Sequence, residues 1–361
     1  MTAGTEDFTE LEALGELADD IFAAATEPVL DVQEVALAFD AKLWATLHES
    51  GLTLLTTPES DGGSGAGPKE AAVLLESAGF HAAPVPLAEN DLLAGWLLRQ
   101  AGLALRDGPL AAAICPVGPL DNRLEATADS AAWAAVAEHL VVAGNGFVAV
   151  LGRDEYAVDD GTDIAGQPAG RIRISTDLTA DQIGHTTGPI LFELFQRGAF
   201  SRALQTCGAL RRALELSCEH VLQREQFGRP IAKFQAVQQL VADSAGALAL
   251  AKAAADFATE IASTHGFGTA HMEFAVAVAK IESARAATVV ARNAHQAHGA
   301  IGFTLDHRLR HFTGRALAWR SEFGSQRFWE QRLGEIALRS EGTVWDLVTE
   351  MSSTAPRPEI N

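Results

Sequence analysis

Residues Glu219 to Asp243 read EHVLQREQFGRPIAKFQAVQQLVAD, and they divide into three parts. A helical run ends in Arg224, a punctuated turn follows at Gln226-Phe227-Gly228-Arg229-Pro230, and an amphipathic helix begins beyond it. Gly228 and Pro230 break helix continuity, because Gly costs backbone entropy and Pro removes an N–H donor while fixing φ. From Ile231 the apolar positions Phe234, Val237, Leu240, Val241 and Leu248 recur at helical spacing, so a second helix is expected over Ile231 to Ser263. A turn carrying Arg224, Gln226 and the first amides of a helix suits a phosphate group. Arg offers a bidentate cationic fork, and a helix N-terminus offers unpaired N–H groups at a positive dipole end. Spacing alone favours an ordinary helical hairpin with an exposed Arg and leaves the phosphate reading open.

The order of residues says more. The string R-x-Q-F-G-x-P-I-x-x-F-Q-x-x-Q from Arg224 to Gln238 closely resembles a motif of the acyl-CoA dehydrogenase family. In that family the segment reaches across a dimer interface and holds the ADP half of FAD bound mainly by the neighbouring subunit. The resemblance extends over nearly the whole chain. It implies that Arg224, Gln226, Phe227 and Gln235 contact FAD, and that the fold is mainly α with a small β domain. The expected divisions are an N-terminal helical domain over 1–104, a reduced β domain over 105–188 and a C-terminal four-helix bundle over 189–361.

Composition agrees with a folded chain of more than one domain. It has 361 residues, 48% hydrophobic and 20% charged, enough to bury a sizeable core. A net charge of −20 argues against nucleic acid or an anionic membrane as partner, since both require basic patches. The acidic start, MTAGTEDFTELEALGELADD, lacks the basic and apolar segments of a signal peptide. Cys115, Cys207 and Cys218 show neither metal nor redox spacing and read as thiols in a reducing compartment, so a cytoplasmic location is expected.

In the N-terminal third, Leu11, Leu14, Leu17, Ile21 and Phe22 mark one amphipathic helix and Phe39 to Glu49 another, stopping at Gly51. Pro58 to Glu70 is a Gly-rich connector rather than a Walker loop, because no GK[ST] follows. His81 to Asn90, HAAPVPLAEN, is similar to the branch of the family found in bacterial steroid and fatty-acid degradation. From Leu105 to Gly188 short β-like runs occur at Ala112 to Val117, Leu140 to Leu151 and Arg171 to Ser175, predicting a small antiparallel β domain. The family's T-E-P…G-S-D stretch, which holds the flavin ring and pyrophosphate, has no match here. Pro116 to Trp133 stands in its place, which implies a degraded flavin pocket.

Beyond Thr187 four long helices are expected over Ile190 to Leu222, Ile231 to Ser263, Thr269 to Gly299 and Arg308 to Arg339, forming a bundle. Ala294 to Thr304, AHQAHGAIGFT, resembles the family's Q-x-x-G-G-x-G-F segment with Ala300 replacing the second Gly. By that resemblance Gln296 and Gly299 join Arg224 and Gln226 on the FAD diphosphate. The histidine pairs His295/His298 and His307/His311 lie at helical spacing, but no carboxylate or Cys completes a metal set, and no metal is expected.

One part of the family's machinery is absent. Removing the α-proton of an acyl thioester requires a carboxylate within hydrogen-bond reach. Aligning on Gly302-Phe303 and on Gly324 places the family's usual Glu at Phe323, and the alternative position falls near Gly198. Glu322 is adjacent, but on a helix one residue turns the side chain by about 100°. Ser325 and Arg327 replace the family's flavin-contacting Thr and Gln. Family members that keep the ADP contacts and lack the base occur in α2β2 heterotetramers acting on steroid side-chain CoA thioesters, where a homologous subunit supplies the catalytic Glu. The resemblance thus implies a non-catalytic subunit, with acyl-CoA bound mainly by the partner and an electron-transfer flavoprotein as acceptor. Two further readings remain: a self-sufficient acyl-CoA dehydrogenase using Glu322, and a flavin-free scaffold of the same fold.

Overall fold

A computed structural model describes residues 3–31, 38–118 and 122–353. In chain order the helical start comprises α1 (Ala3–Thr26), α2 (Ala41–Glu49), α3 (Pro68–Phe80) and a π-helical segment, Ala88–Gly95, continuing into α4 (Trp96–Gln100). The strands follow: β1 (Leu110–Ile114), β2 (Arg123–Ala132), β3 (His139–Gly144), β4 (Phe147–Gly152), β5 (Tyr156–Val158), β6 (Ala169–Asp177) and β7 (Ile183–His185). The remainder holds α5 (Ile190–Gln223), the short strands β8 (Glu225–Gln226) and β9 (Arg229–Pro230), α6 (Gln235–His265) and α7 (Ala270–His298). It ends with α8 (Leu309–Trp319), α9 (Gln326–Arg339) and α10 (Val344–Met351). The mainly α architecture with a small β region is the one the sequence implies.

Two compact units divide the chain. One comprises Ala36–Gly67 and Pro84–Gly198; the other comprises Met1–Val35, Pro68–Ala83 and Ala199–Asn361.

The β-containing unit opens at α2, whose N-cap Asp40 accepts hydrogen bonds from the Lys42 and Leu43 amides, satisfying donors the helix leaves unpaired. Leu43, Trp44 and Leu47 form its buried face. The Thr56 amide and the Thr56 and Thr57 hydroxyls donate to buried Asp91. Asn90 bridges Thr53 O and the Leu110 amide. Its strands form two sheets, ordered β1-β3-β4-β7 and β2-β6-β5, with Leu124, Leu140, Val142, Phe147 and Ile172 among the core between them. Three expectations change here. The region is not wholly antiparallel, since β1 and β3 pair in parallel. The run Leu140 to Leu151 is a hairpin, turned at Asn145-Gly146, where Gly146 takes φ 86°. Strand β2, unexpected from the sequence, occupies most of the stretch that lacks the flavin motif; residues 119–121 of that stretch lie outside the described residues.

The helical unit is built on α6 and α7, with α7 burying Phe274, Ala279, Lys280, Ala287, Val290 and Asn293 along its length. Two of the four predicted long helices stand as read. The helix expected from Ile231 begins at Gln235, because Ile231–Lys233 form a 3₁₀ turn and Phe234 is extended at φ −93°, ψ 128°. The helix expected over Arg308 to Arg339 is broken into α8 and α9, where Phe323 (φ 50°) and Gly324 (φ 96°) leave helical space. Among the described residues no helix is long and apolar enough to cross a membrane.

Candidate functional site

The motif segment lies in the helical unit, where α5 gives way to a tight hairpin. The Arg224 amide donates to His220 O, as in the preceding helix, while Arg224 O accepts from the Ile231 amide and closes the hairpin. Glu225 pairs with Pro230 and Gln226 with Arg229. The two intervening residues, Phe227 (φ 53°) and Gly228 (φ 77°), both adopt left-handed conformations, as a two-residue turn of the primed type requires. Gly228 accepts this without strain; Phe227 does not. Phe227 is nevertheless 91% exposed, with its ring edge-on to Phe234 at 6.0 Å. Arg229 lies over the other aromatic partner, 4.4 Å from the Phe234 ring centre.

The C-terminal end of α7 comes to the same corner. His220 in the last turn of α5 stacks on His298 in the last turn of α7, ring centres 4.4 Å apart. Asn293 Nδ2 donates to Leu240 O at 3.2 Å, tying α7 to α6. Gly299 ends α7 at φ 65°, and a Cβ added there would meet nothing within 4 Å, so its backbone is open to close approach. The side chains of Arg224, Gln226, Gln235 and Gln296 are exposed and hold no hydrogen bond or ion pair within the described residues. Sequence reasoning therefore named six residues gathered around adjoining ends of α5, α6 and α7. One cationic fork, three amides and an unobstructed backbone are a donor set that fits a diphosphate. The expected role of the α6 N-terminus changes, since its first amides begin four residues beyond the hairpin.

The place of the family's base has the opposite character. Phe323 lies half-buried in the turn between α8 and α9, its carbonyl accepting from Trp329 Nε1 at 2.9 Å. Glu322 is not on a helix, so the rotation argument from helical geometry does not apply to it. What holds its carboxylate is Arg202, whose Nε donates to Glu322 Oε2 at 2.8 Å; the two side chains are 2% and 28% exposed. Arg202 also donates to Gln205 Oε1 at 2.6 Å, and its guanidinium lies 5.8 Å from the centres of both the Trp319 and Phe323 rings. Lys280, 1% exposed, donates to Trp319 O and Glu322 O at 2.8 Å each. Burial pushes its ammonium down to about 7, against the opposing pull of Glu322. Ser325 is the N-cap of α9, its hydroxyl accepting from the Phe328 amide, while Arg327 is exposed and Gly198 is buried in α5. Arg202 and Lys280 were not singled out from the sequence. Lys280 had a readable signal, a lone cation in the apolar run FAVAVAKI; Arg202 had none.

The histidines regroup. Neither His295/His298 nor His307/His311 acts as a pair; instead His298 contacts His220 and, at 4.6 Å, His307. Among the described residues no three His, Cys, Asp or Glu side chains are arranged to hold a metal ion. Cys115 and Cys207 are buried and Cys218 is half-buried, all free, and burial raises all three thiols. In the β-containing unit a concavity of about 980 Å³ is rimmed by Pro116, Val117, Glu125, Asp154, Glu155 and Arg173. Arg173 is already engaged by Asp159 at 2.7 Å, so this hollow carries the wrong charge for an anionic diphosphate.

Comparison with known proteins identifies the family. The description "Acyl-CoA dehydrogenase, N-terminal domain" matches residues 9–104, and "Acyl-CoA dehydrogenase, C-terminal domain" matches residues 189–333. The chain is 28% identical over 349 residues to Acyl-CoA dehydrogenase FadE27 of Mycobacterium tuberculosis, covering 85% of this chain and 92% of the relative. It is 28% identical over 299 residues to Acyl-CoA dehydrogenase IpdE2 of Mycolicibacterium smegmatis, covering 81% and 87%. Among solved structures, the ChsE4-ChsE5 complex from Mycobacterium tuberculosis has the same fold, with a TM-score of 0.81 and 23% identity over 92% of this chain and 98% of that one. With its terminal helical regions both matched, the chain belongs to the acyl-CoA dehydrogenase family of flavoprotein oxidoreductases.

Proposed function

We propose that this chain is the non-catalytic subunit of a heteromeric acyl-CoA dehydrogenase, giving ADP-side contacts to an FAD whose ring and catalytic base belong to a homologous partner. The observation that carries this reading is the contrast within one unit. Arg224, Gln226, Gln235 and Gln296 are exposed and uncommitted, whereas Phe323 stands where the base is expected and the neighbouring carboxylate is held by Arg202. Bound FAD would accept the β-hydride of the acyl thioester. This chain's part is to bind and orient: Arg224 neutralises diphosphate charge, Gln226 and Gln296 supply amide donors, and Gly299 lets backbone come close. Phe227 presents an apolar ring outward, suited to burial against a second chain. The partner is a second acyl-CoA dehydrogenase subunit in an α2β2 assembly, as the ChsE4-ChsE5 complex among its structural relatives is a complex of two named chains.

A steroid side-chain CoA thioester is the substrate class this reading favours, because a Tcur3481-Tcur3483 steroid ACAD is similar in fold, with a TM-score of 0.78 and 25% identity. The acyl-CoA is bound mainly by the partner, electrons leave through an electron-transfer flavoprotein, and the complex works in the cytoplasm. The test is co-expression with a homologous acyl-CoA dehydrogenase gene product, then light-scattering mass and flavin count on the purified material. A stable complex with a single FAD per pair of chains supports the reading. A chain that stays alone beside a fully active partner refutes it.

A further inference from the structure

Three imidazoles meet where the ends of α5 and α7 adjoin. His220 stacks on His298 at 4.4 Å, His298 meets His307 at 4.6 Å, and His220 and His307 are 6.5 Å apart. His298 is 95% buried; its Nδ1 donates to Ala294 O at 2.8 Å, which leaves Nε2 as the bare lone pair of a neutral ring. Among the described residues that buried Nε2 has no hydrogen-bond partner. A proton there would create a cation with nothing to receive its N–H, which interiors tolerate poorly.

The surroundings add no help. On α5 the nearby charge is Arg224, on α7 the other titratable ring is His295, and before α8 His307 adjoins Arg308. The acidic neighbours, Asp31 and Glu27 beyond the end of α1, are both engaged by Arg308, and Glu27 also by Arg212. At the start of α8, His311 faces Arg308, Arg310 and Arg315. Burial accordingly holds His220, His295 and His307 below the usual imidazole range, His298 at about 4 and His311 at about 3.

We infer that His220, His298 and His307 are positioning residues: a joint of neutral rings that holds the end of α5, which carries Arg224, to the end of α7, which carries Gln296 and Gly299, and that acid opens. The placement follows from the chain itself, since His220 is one helical turn before Arg224 and His298 directly precedes Gly299. The part concerning FAD rests on the proposed function; the joint itself does not.

The sign is fixed by linkage. The folded ring of His298 titrates at about 4, against an ordinary value of 6.5, so between these values the unfolded chain takes up a proton that the folded chain refuses. Stability conferred by the neutral joint is complete above pH about 6.5 and is lost as pH falls through about 4. Between pH about 7 and about 5 the folded-to-unfolded ratio should drop roughly 20-fold from His298 alone.

The test is the thermal melting of the full chain across that pH range for wild type, His298→Phe and His220→Phe, since Phe preserves a stacked ring without a titrating nitrogen. The expected result is a steep acid slope in wild type and a shallower one in both variants. Parallel slopes in all three would overturn the joint, and the second variant covers a folding defect in the first. The same proteins, assembled with the partner, are then assayed for FAD retention against pH. Wild type should release FAD in acid while His298→Phe retains it, and equal release by both would overturn the positioning role. If the melting slopes differ as expected and no FAD is held at neutral pH, the joint stands and the cofactor reading falls.

Discussion

Two corners of one helical unit have been treated in opposite ways. Around the α5–α6 hairpin, the side chains of Arg224, Gln226, Gln235 and Gln296 face outward with no hydrogen bond or ion pair among the described residues, and a Phe at a positive φ is left 91% exposed. Around Phe323, polar side chains turn inward and bind one another: Arg202 to Glu322 and Gln205, Lys280 to two carbonyls. Folding alone does not account for the first arrangement, because uncommitted donors and an exposed strained aromatic add nothing to an isolated chain. Folding accounts well for the second, because buried charges need partners. On the proposed function the first corner keeps its donors free for a ligand, whereas the second uses its charged groups for internal structure.

The comparison can be broken most forcefully at Arg202. Arg202→Ala leaves the Glu322 carboxylate without the guanidinium that holds it, and loss of one partner of a buried pair costs about 3–5 kcal/mol. Because Glu322 is 28% exposed, the lower end is expected. Denaturant unfolding measures it, and a loss no larger than that of an exposed Arg→Ala control would show the corner is not structural.

Arg224→Ala is its counterpart. Its expected cost is about 1.5–3 kcal/mol in FAD affinity of the assembled protein, with the melting temperature of the chain nearly unchanged. A fall in stability without a fall in affinity would reverse the roles assigned to the two corners.

Lys280 offers a pH handle on the closed corner. Its folded value of about 7 lies below the ordinary 10.5, so in that window the unfolded chain binds the proton and the folded chain does not. Stability should decline as pH falls from about 10 toward about 7, by up to about 1.4 kcal/mol per pH unit, and Lys280→Met should remove the slope. Stability measured at several alkaline pH values decides this, and equal slopes in both proteins would contradict it. The smallest effect is expected of Glu322→Gln in the assembled enzyme. Turnover should stay within about twofold of wild type, and a loss of several orders of magnitude would make Glu322 the base.

Much of this was readable before any coordinates. The hairpin announced itself through Gly228 and Pro230, and the family through the motif from Arg224 to Gln238. Strand β2 was missed although Leu124, Ala126 and Ala128 alternate with exposed Glu125, Thr127 and Asp129; alanines bury too little apolar surface to make the period of two conspicuous. The break at Phe323 was hidden because Phe is a poor marker of left-handed backbone. Arg202 meets Glu322 across 120 positions and His220 meets His298 across 78, and no local pattern encodes such meetings.

The most direct test of the central claim is the visible spectrum of this chain purified alone, before and after addition of an acyl-CoA. The account predicts no flavin absorbance and no response. A yellow chain bleached by the acyl-CoA would contradict it, because a complete flavin pocket and a base would then reside in this subunit.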